Sequence, residues 1–302
     1  MTTINQITVL ALGLIGGSLA KALKENGFAK EVVAWGRRES TLKQGLELGV
    51  IDRYELDIDA AVRGADVVVV ASPTLIAAEM IKQLVQTLPA TTIITDVASV
   101  KGNLLVAAKN AQGEVPPNLV LGHPIAGSEK SGVSAANSEL FINHRVILTP
   151  TQETDHKALG LVQAMWQSTG AEVVEMSVDE HDKVLAATSH LPHMLAYTLV
   201  DALTGNNKGG EHEDILRFAA GGFRDFTRIA SSDPTMWRDI ALANKGALLK
   251  VMDQFTEQMT ELRQAIAESD SDTIMASFTR AKSVRDQFAR MLEDHKSEKS
   301  NP

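Results

Sequence analysis

The sequence contains no cysteine among its 302 residues. Disulfides, thiolate nucleophiles and cysteine-based zinc or iron–sulfur sites are therefore excluded, and a reducing compartment fits. No apolar run reaches the roughly 18 residues that a bilayer span requires. The apolar stretch from Ile7 to Ala20 precedes Lys21, the first basic residue, so it lacks the positive start of a secretory signal. A cytoplasmic chain with no membrane partner is expected. Positive charge is in deficit, with 29 Lys and Arg against 38 Asp and Glu for a net charge of −9. That balance argues against a nucleic-acid partner, and any anionic ligand must be drawn in by a local basic cluster. Internal repeats and low-complexity tracts are absent too. What remains is ordinary globular composition, 44% hydrophobic and 22% charged. At about 150 residues per domain, the length suggests two domains.

The two halves are patterned differently. In the first, β-branched runs (6–11, 31–35, 66–71, 92–95, 118–121 and 145–149) alternate with helical periodicity such as 19–26 and 76–88. A helix over 155–168 and a strand over 172–175 add one more unit. Strands as apolar as Val67-Val68-Val69-Val70 are buried on both faces, which with intervening helices predicts a doubly wound parallel sheet of the Rossmann type. From Ser177 onward only helical periodicity is found. Leu248, Val251, Met252, Phe255, Met259, Leu262 and Ile266 recur at three and four, as do Ile274, Phe278, Ala281, Val284, Phe288 and Met291. The expected organisation is a dinucleotide-binding domain over 1–176 and an all-helical domain over 177–302. Ser271-Asp272 reads as a hinge, the residues after His295 as a frayed tail, and the apolar stripes as an intersubunit seam.

Between the first strand and first helix stands Ala11-Leu12-Gly13-Leu14-Ile15-Gly16. This is the place of the GxGxxG turn, whose amides and helix N-terminus hold a pyrophosphate. Gly13, Leu14, Ile15 and Gly16 are the candidate cofactor contacts, and Ala11 replaces the first glycine. An NAD-binding chain usually carries an acid about 20 residues further on, to bind the ribose hydroxyls. Here that position is Gly36, followed by Arg37 and Arg38. The arginines could bind a 2′-phosphate, so NADP is favoured, with NAD also accommodated.

In open α/β sheets, ligands lie beyond the C-terminal strand ends. Ser72, Ser99 and His123 each follow a predicted strand there. Ser72 is assigned to the cofactor. A neutral imidazole at position 123 could take a proton from an alcohol as hydride leaves. The helical half adds Ser189-His190-Leu191-Pro192-His193 and Gly222-Phe223-Arg224-Asp225-Phe226-Thr227-Arg228. No suitably spaced acid completes a zinc site and Pro192 is expected to interrupt the helix, so no metal is expected. Arg224 and Arg228, four apart, suit carboxylate recognition.

These motifs, with Asp96 to Gly102, the long Gly122-to-Gly132 segment and Asp233-Pro234-Thr235-Met236-Trp237, resemble the prephenate/arogenate (cyclohexadienyl) dehydrogenase family along nearly the whole chain. The resemblance implies oxidative decarboxylation of prephenate or arogenate to 4-hydroxyphenylpyruvate or tyrosine, with hydride passing to NAD(P). It implies His123 and Ser99 as catalytic, and Arg228, Ser189, His190 and His193 as substrate-binding. Glu129 would gate the pocket, and Arg224 and Asp225 lie in the same substrate motif. It also implies a homodimer built on the helical half, and inhibition by tyrosine. Two other readings stay open on residues alone. One is a β-hydroxyacid-type dehydrogenase using Lys183 or Lys245; the other is a non-catalytic NADP-sensing protein.

Overall fold

The computed structural model describes residues 3–127, 130–204 and 217–300. Six parallel strands form the main sheet: β1 (Ile4–Leu10), β2 (Ala29–Trp35), β3 (Arg53–Glu55), β4 (Val67–Val70), β5 (Ile93–Asp96) and β6 (Leu119–Val120). Their order is β3-β2-β1-β4-β5-β6, the doubly wound dinucleotide-binding arrangement with its switch point between β1 and β4. Helices α1 (Leu14–Glu25), α2 (Glu39–Glu47), α3 (Ile58–Val62), α4 (Thr74–Thr87) and α5 (Gly102–Gln112) connect them. All four valines of β4 have no solvent exposure, as a strand covered on both faces demands. The short β3 and α3 lack a run long enough to be read from sequence.

Two expected strands leave this sheet. After β6 the chain enters β7 (Gly122–Pro124), which pairs antiparallel with β8 (Arg145–Leu148); β8 pairs parallel with β9 (Glu172–Glu175) across α6 (His156–Ser168). The Gly122 amide donates to the Asp96 carboxylate at 3.1 Å instead of to a strand carbonyl. The six-stranded ladder ends there and a second, three-stranded sheet begins. His123 is therefore itself a strand residue, opposite Ile147.

Beyond β9 the described residues are helical: α7 (Val178–Leu185), a π turn (Ala186–His190), α8 (Leu191–Thr204), α9 (Gly221–Thr227), a 3₁₀ turn (Arg228–Ser231), α10 (Pro234–Ala243), α11 (Lys245–Ala267) and α12 (Ser271–Ser300). Pro192 does not break its helix. The preceding turn is widened, with the Leu191 amide bonded to the Ala186 carbonyl five residues back, and a π turn relieves the clash of a proline ring with the helical backbone.

The chain forms two compact units, residues 1–248 and 249–302. In the second, the break falls at 268–270, just before the expected hinge. Ser269 is left-handed at φ +58°, and Asp270 accepts from the Thr273 amide at 3.0 Å, capping α12. Ser271 and Asp272 are thus its first turn. The helix continues to Ser300, past the expected fraying point, because no proline or glycine intervenes. Met275, Phe278, Val284, Phe288 and Met291 are each more than half exposed in the single chain.

Ala11 has φ +79°. A left-handed alanine costs about 1–2 kcal/mol, and the greater unfolded-state freedom of glycine offsets about 0.4–1 kcal/mol. Ala11→Gly is therefore expected to stabilise the chain by roughly 0.5–1 kcal/mol and raise the thermal midpoint by about 1–4 °C. A lowered midpoint in a calorimetric scan would contradict this.

Candidate active site

The C-terminal ends of β1 and β4 flank the glycine turn. Gly16 lies so close to the strands that an added Cβ would meet the Ala11 carbonyl oxygen at 2.4 Å and the Ala71 Cβ at 2.8 Å, whereas over Gly13 there is nothing within 4 Å. Helix α1 begins at Leu14 with no side-chain cap and no acid in its first turn. Uncapped amides beneath open space fit a pyrophosphate. Arg37 and Arg38 follow β2 on the same rim, exposed. Ser72 is buried, and its hydroxyl is directed at the Met80 sulfur, 3.4 Å away.

Beside the turn after β5 lies a buried polar chain. Lys101 and Asp96 form an ion pair with both side chains fully buried. Lys101 Nζ also donates to the Gly122 carbonyl at 2.7 Å. Burial pushes the Asp96 carboxyl up and the Lys101 ammonium down, and the pairing opposes both. Their bonds on either side of Gly122 set the position of the next residue, His123.

His123 is buried, and its Nδ1 lies 2.9 Å from His181 Nε2. His181 Nδ1 lies 2.8 Å from Asp182 Oδ1. The Asp182 carboxylate also accepts from the amides of Lys101 and Gly102, at 2.9 and 2.8 Å. It caps the start of α5, and a Cβ at Gly102 would meet its Oδ2 at 2.8 Å. Burial pushes the His123 imidazole well below its usual range, and the neighbouring His181, Lys101 and His190 push it the same way. It is neutral at pH 7.

The helical segment closes round this group. His190 is buried, and Asn244 Nδ2 donates both to its Nδ1 at 3.1 Å and to the Asp182 carbonyl at 2.8 Å. Burial lowers His190 to about 4. His193 donates from Nδ1 to the Ser189 carbonyl at 2.9 Å and stacks on Trp237, centroids 3.4 Å apart. Burial lowers His193 as well, and the charge of Arg228 adds to that effect. Arg228 thus stands near the rim of the histidine cluster, just beyond α9.

Of the expected residues, His123, His190, His193 and the Ser189 backbone share one cluster that feels the charge of Arg228. Arg224 and Asp225 are largely exposed and pair with each other at 3.1 Å. The Ser99 hydroxyl makes no hydrogen bond to His123, whose Nδ1 is taken by His181. Glu129 lies outside the described residues. Lys183, the lysine of a rival reading, is exposed and bonded to Asp179 at 2.7 Å. His181 and Asp182 were not anticipated; their only signal was an adjacent His-Asp pair in the first helix after β9.

A family model for the nucleotide-binding domain of prephenate dehydrogenase matches residues 19–175, and one for the prephenate dehydrogenase dimerization domain matches 177–280. The chain belongs to the prephenate dehydrogenase family. Within that family it is 37% identical to the cyclohexadienyl dehydrogenase of Zymomonas mobilis, over 94% of this chain and 96% of that one. It is 38% identical to the prephenate dehydrogenase of Bacillus subtilis, over 93% and 75%. The prephenate dehydrogenase of Aquifex aeolicus, solved with hydroxyphenyl propionate and NAD+, superposes with a TM-score of 0.86 at 35% identity, over 95% of this chain and 99% of that one. Synechocystis arogenate dehydrogenase gives 0.79 at 28% identity, over 94% and 99%.

Proposed function

We propose that this chain oxidatively decarboxylates prephenate, arogenate or both, forming 4-hydroxyphenylpyruvate or tyrosine. The carrying observation is a neutral, buried imidazole at His123, with Nδ1 occupied and Nε2 without a partner among the described residues, in a cluster whose rim bears Arg228. His123 Nε2 accepts the proton of the ring hydroxyl as the adjacent carbon gives up hydride. The ring carboxylate then leaves as CO2, driven by aromatisation. Arg228 binds a substrate carboxylate, His190, His193 and Ser189 shape the pocket, and Ser99 supports the hydroxyl. An initial-rate matrix of both substrates against both cofactors tests the assignment; no turnover in any of the four combinations would end it.

The amides of Gly13 to Gly16 would hold a dinucleotide, and its oxidised nicotinamide would supply the hydride acceptor. We assign NADP as the favoured cofactor, because Arg37 and Arg38 occupy the rim after β2 and have no ion pair among the described residues. Replacing both by alanine is expected to raise KM for NADP about tenfold or more, at 1.5–3 kcal/mol per charge-assisted bond, and KM for NAD by less than about twofold. Equal losses would return the pair to the solvated surface.

The proposed organisation is a nucleotide-binding domain over 1–176 and a substrate and dimerisation domain over 177–302, as supported by the change from strands to helices after β9. The exposed apolar stripe of α12 supports a homodimer. Tyrosine, the product of one reaction, is the proposed inhibitor, competing for the same pocket. No helix among the described residues is long and apolar enough to cross a membrane, and the cytoplasm is the proposed location.

A further inference from the structure

The histidine at the centre of the proposed reaction is the outer end of a chain that runs inward. Its inner end is unambiguous. An ionised carboxylate only accepts, so His181 Nδ1 must carry the hydrogen that bonds Asp182 Oδ1 at 2.8 Å. A neutral His181 then has a bare Nε2. His123 Nδ1, 2.9 Å from it, must be the donor. His123 is thereby fixed as the Nδ1–H tautomer, with the lone pair on Nε2.

We infer that His181 and Asp182 are positioning residues that form a two-imidazole relay, so that the proton taken from the substrate hydroxyl comes to rest on His181 rather than on His123. The inference rests on the reading of His123 as the proton acceptor. The hydroxyl O–H bond breaks and its proton joins His123 Nε2. The His123 Nδ1–H bond breaks and that proton joins His181 Nε2. His181, already protonated on Nδ1, becomes an imidazolium against the Asp182 carboxylate. The hydride and its electron pair leave separately for the nicotinamide of the proposed activity.

The surroundings favour that resting place. His123 faces Lys101, His181 and His190, all of which oppose a positive charge, and among the described residues it has no carboxylate partner. Burial lowers the fully buried His181 as well, and Lys101 adds to that, but here the bond to Asp182 and the charges of Asp182 and Asp96 oppose the shift. Burial alone would raise Asp182, but the bonds from His181 and from the Lys101 and Gly102 amides outweigh it and hold the carboxyl below its usual value. The relay therefore ends on a carboxylate that stays ionised.

The decisive test needs no turnover. The full chain labelled with 15N-histidine carries eight histidines, and comparison with His123→Asn and His181→Gln spectra assigns the two of interest. Both rings are expected to show protonated Nδ1 and bare Nε2 at neutral pH. A His123 protonated on Nε2 would overturn the relay, whether or not the protein oxidises prephenate. Kinetics then separates holding from proton transfer. In His181→Gln the amide oxygen can still accept from His123, but it cannot take the proton. That variant is expected to lose about tenfold or more in kcat, with KM changed by less than about threefold. Wild-type kcat in His181→Gln would overturn the relay and leave the proposed reaction standing. In Asp182→Asn the acid limb of the kcat profile is expected to move to lower pH, since the carboxylate that favours the protonated pair is gone; an unmoved limb would also contradict the relay. Should loss of the α5 cap unfold Asp182→Asn, His181→Gln keeps both cap bonds and decides the question.

Discussion

Replacing His123 by asparagine is expected to lower kcat by roughly 10²-fold or more while KM changes by less than about threefold. Asparagine is the informative choice because its side-chain amide can still donate to His181 Nε2, as His123 Nδ1 does at 2.9 Å. What it lacks is a basic nitrogen at the position of Nε2. A loss confined to kcat therefore reports the missing base, whereas a raised KM would report a collapsed pocket. The wild-type pH profile carries the same information. The base works only when unprotonated, and its pKa is held well below 6.5 by burial and by His181, Lys101 and His190. The acid limb of kcat/KM should consequently fall below pH 6.5, with activity flat from there through neutrality. A limb at or above 6.5, or near-normal turnover in the variant, would remove His123 from the proposed chemistry.

The parallel sheet was legible because its strands are buried on both faces, and that burial writes itself as runs such as Val67 to Val70. The glycine turn was legible for the same kind of reason. A close approach leaves no room for Cβ at Gly16. Two features escaped because they depend on long-range pairing. The departure of the chain into a second sheet at Gly122 is set by an amide bonded to Asp96, 26 positions earlier. The His123 to His181 contact joins residues 58 apart, and neither position carries a local pattern that announces the other. Sequence spacing also misjudged Pro192. A proline predicts a break only if the helix keeps its ordinary pitch, and here a π turn absorbs it. Spacing alone also could not separate Arg224 from Arg228: Arg224 is exposed and paired with Asp225, whereas the charge of Arg228 is felt at His193.

That difference between the arginines makes the second large prediction. Arg228→Ala is expected to raise KM for prephenate and arogenate about 10- to 150-fold, the equivalent of 1.5–3 kcal/mol for charge-assisted hydrogen bonds, with a smaller change in kcat. The protein carries a net charge of −9, so a dicarboxylate is repelled at a distance and must be held by local positive charge. Lys101 cannot serve, being fully buried on Asp96. Arg228 lies where its charge reaches His193, and a guanidinium fork matches a carboxylate in a way that an ammonium does not. Arg228→Lys should accordingly recover only part of the loss. Arg224→Ala, removing an exposed pair with Asp225, should change KM by less than about threefold, since such pairs contribute about 0–1 kcal/mol. The two variants measured side by side in initial-rate assays give a ratio that does not depend on general effects of removing positive charge. If that ratio is close to one, the substrate carboxylate is bound elsewhere and the proposed orientation of the ring toward His123 loses its anchor.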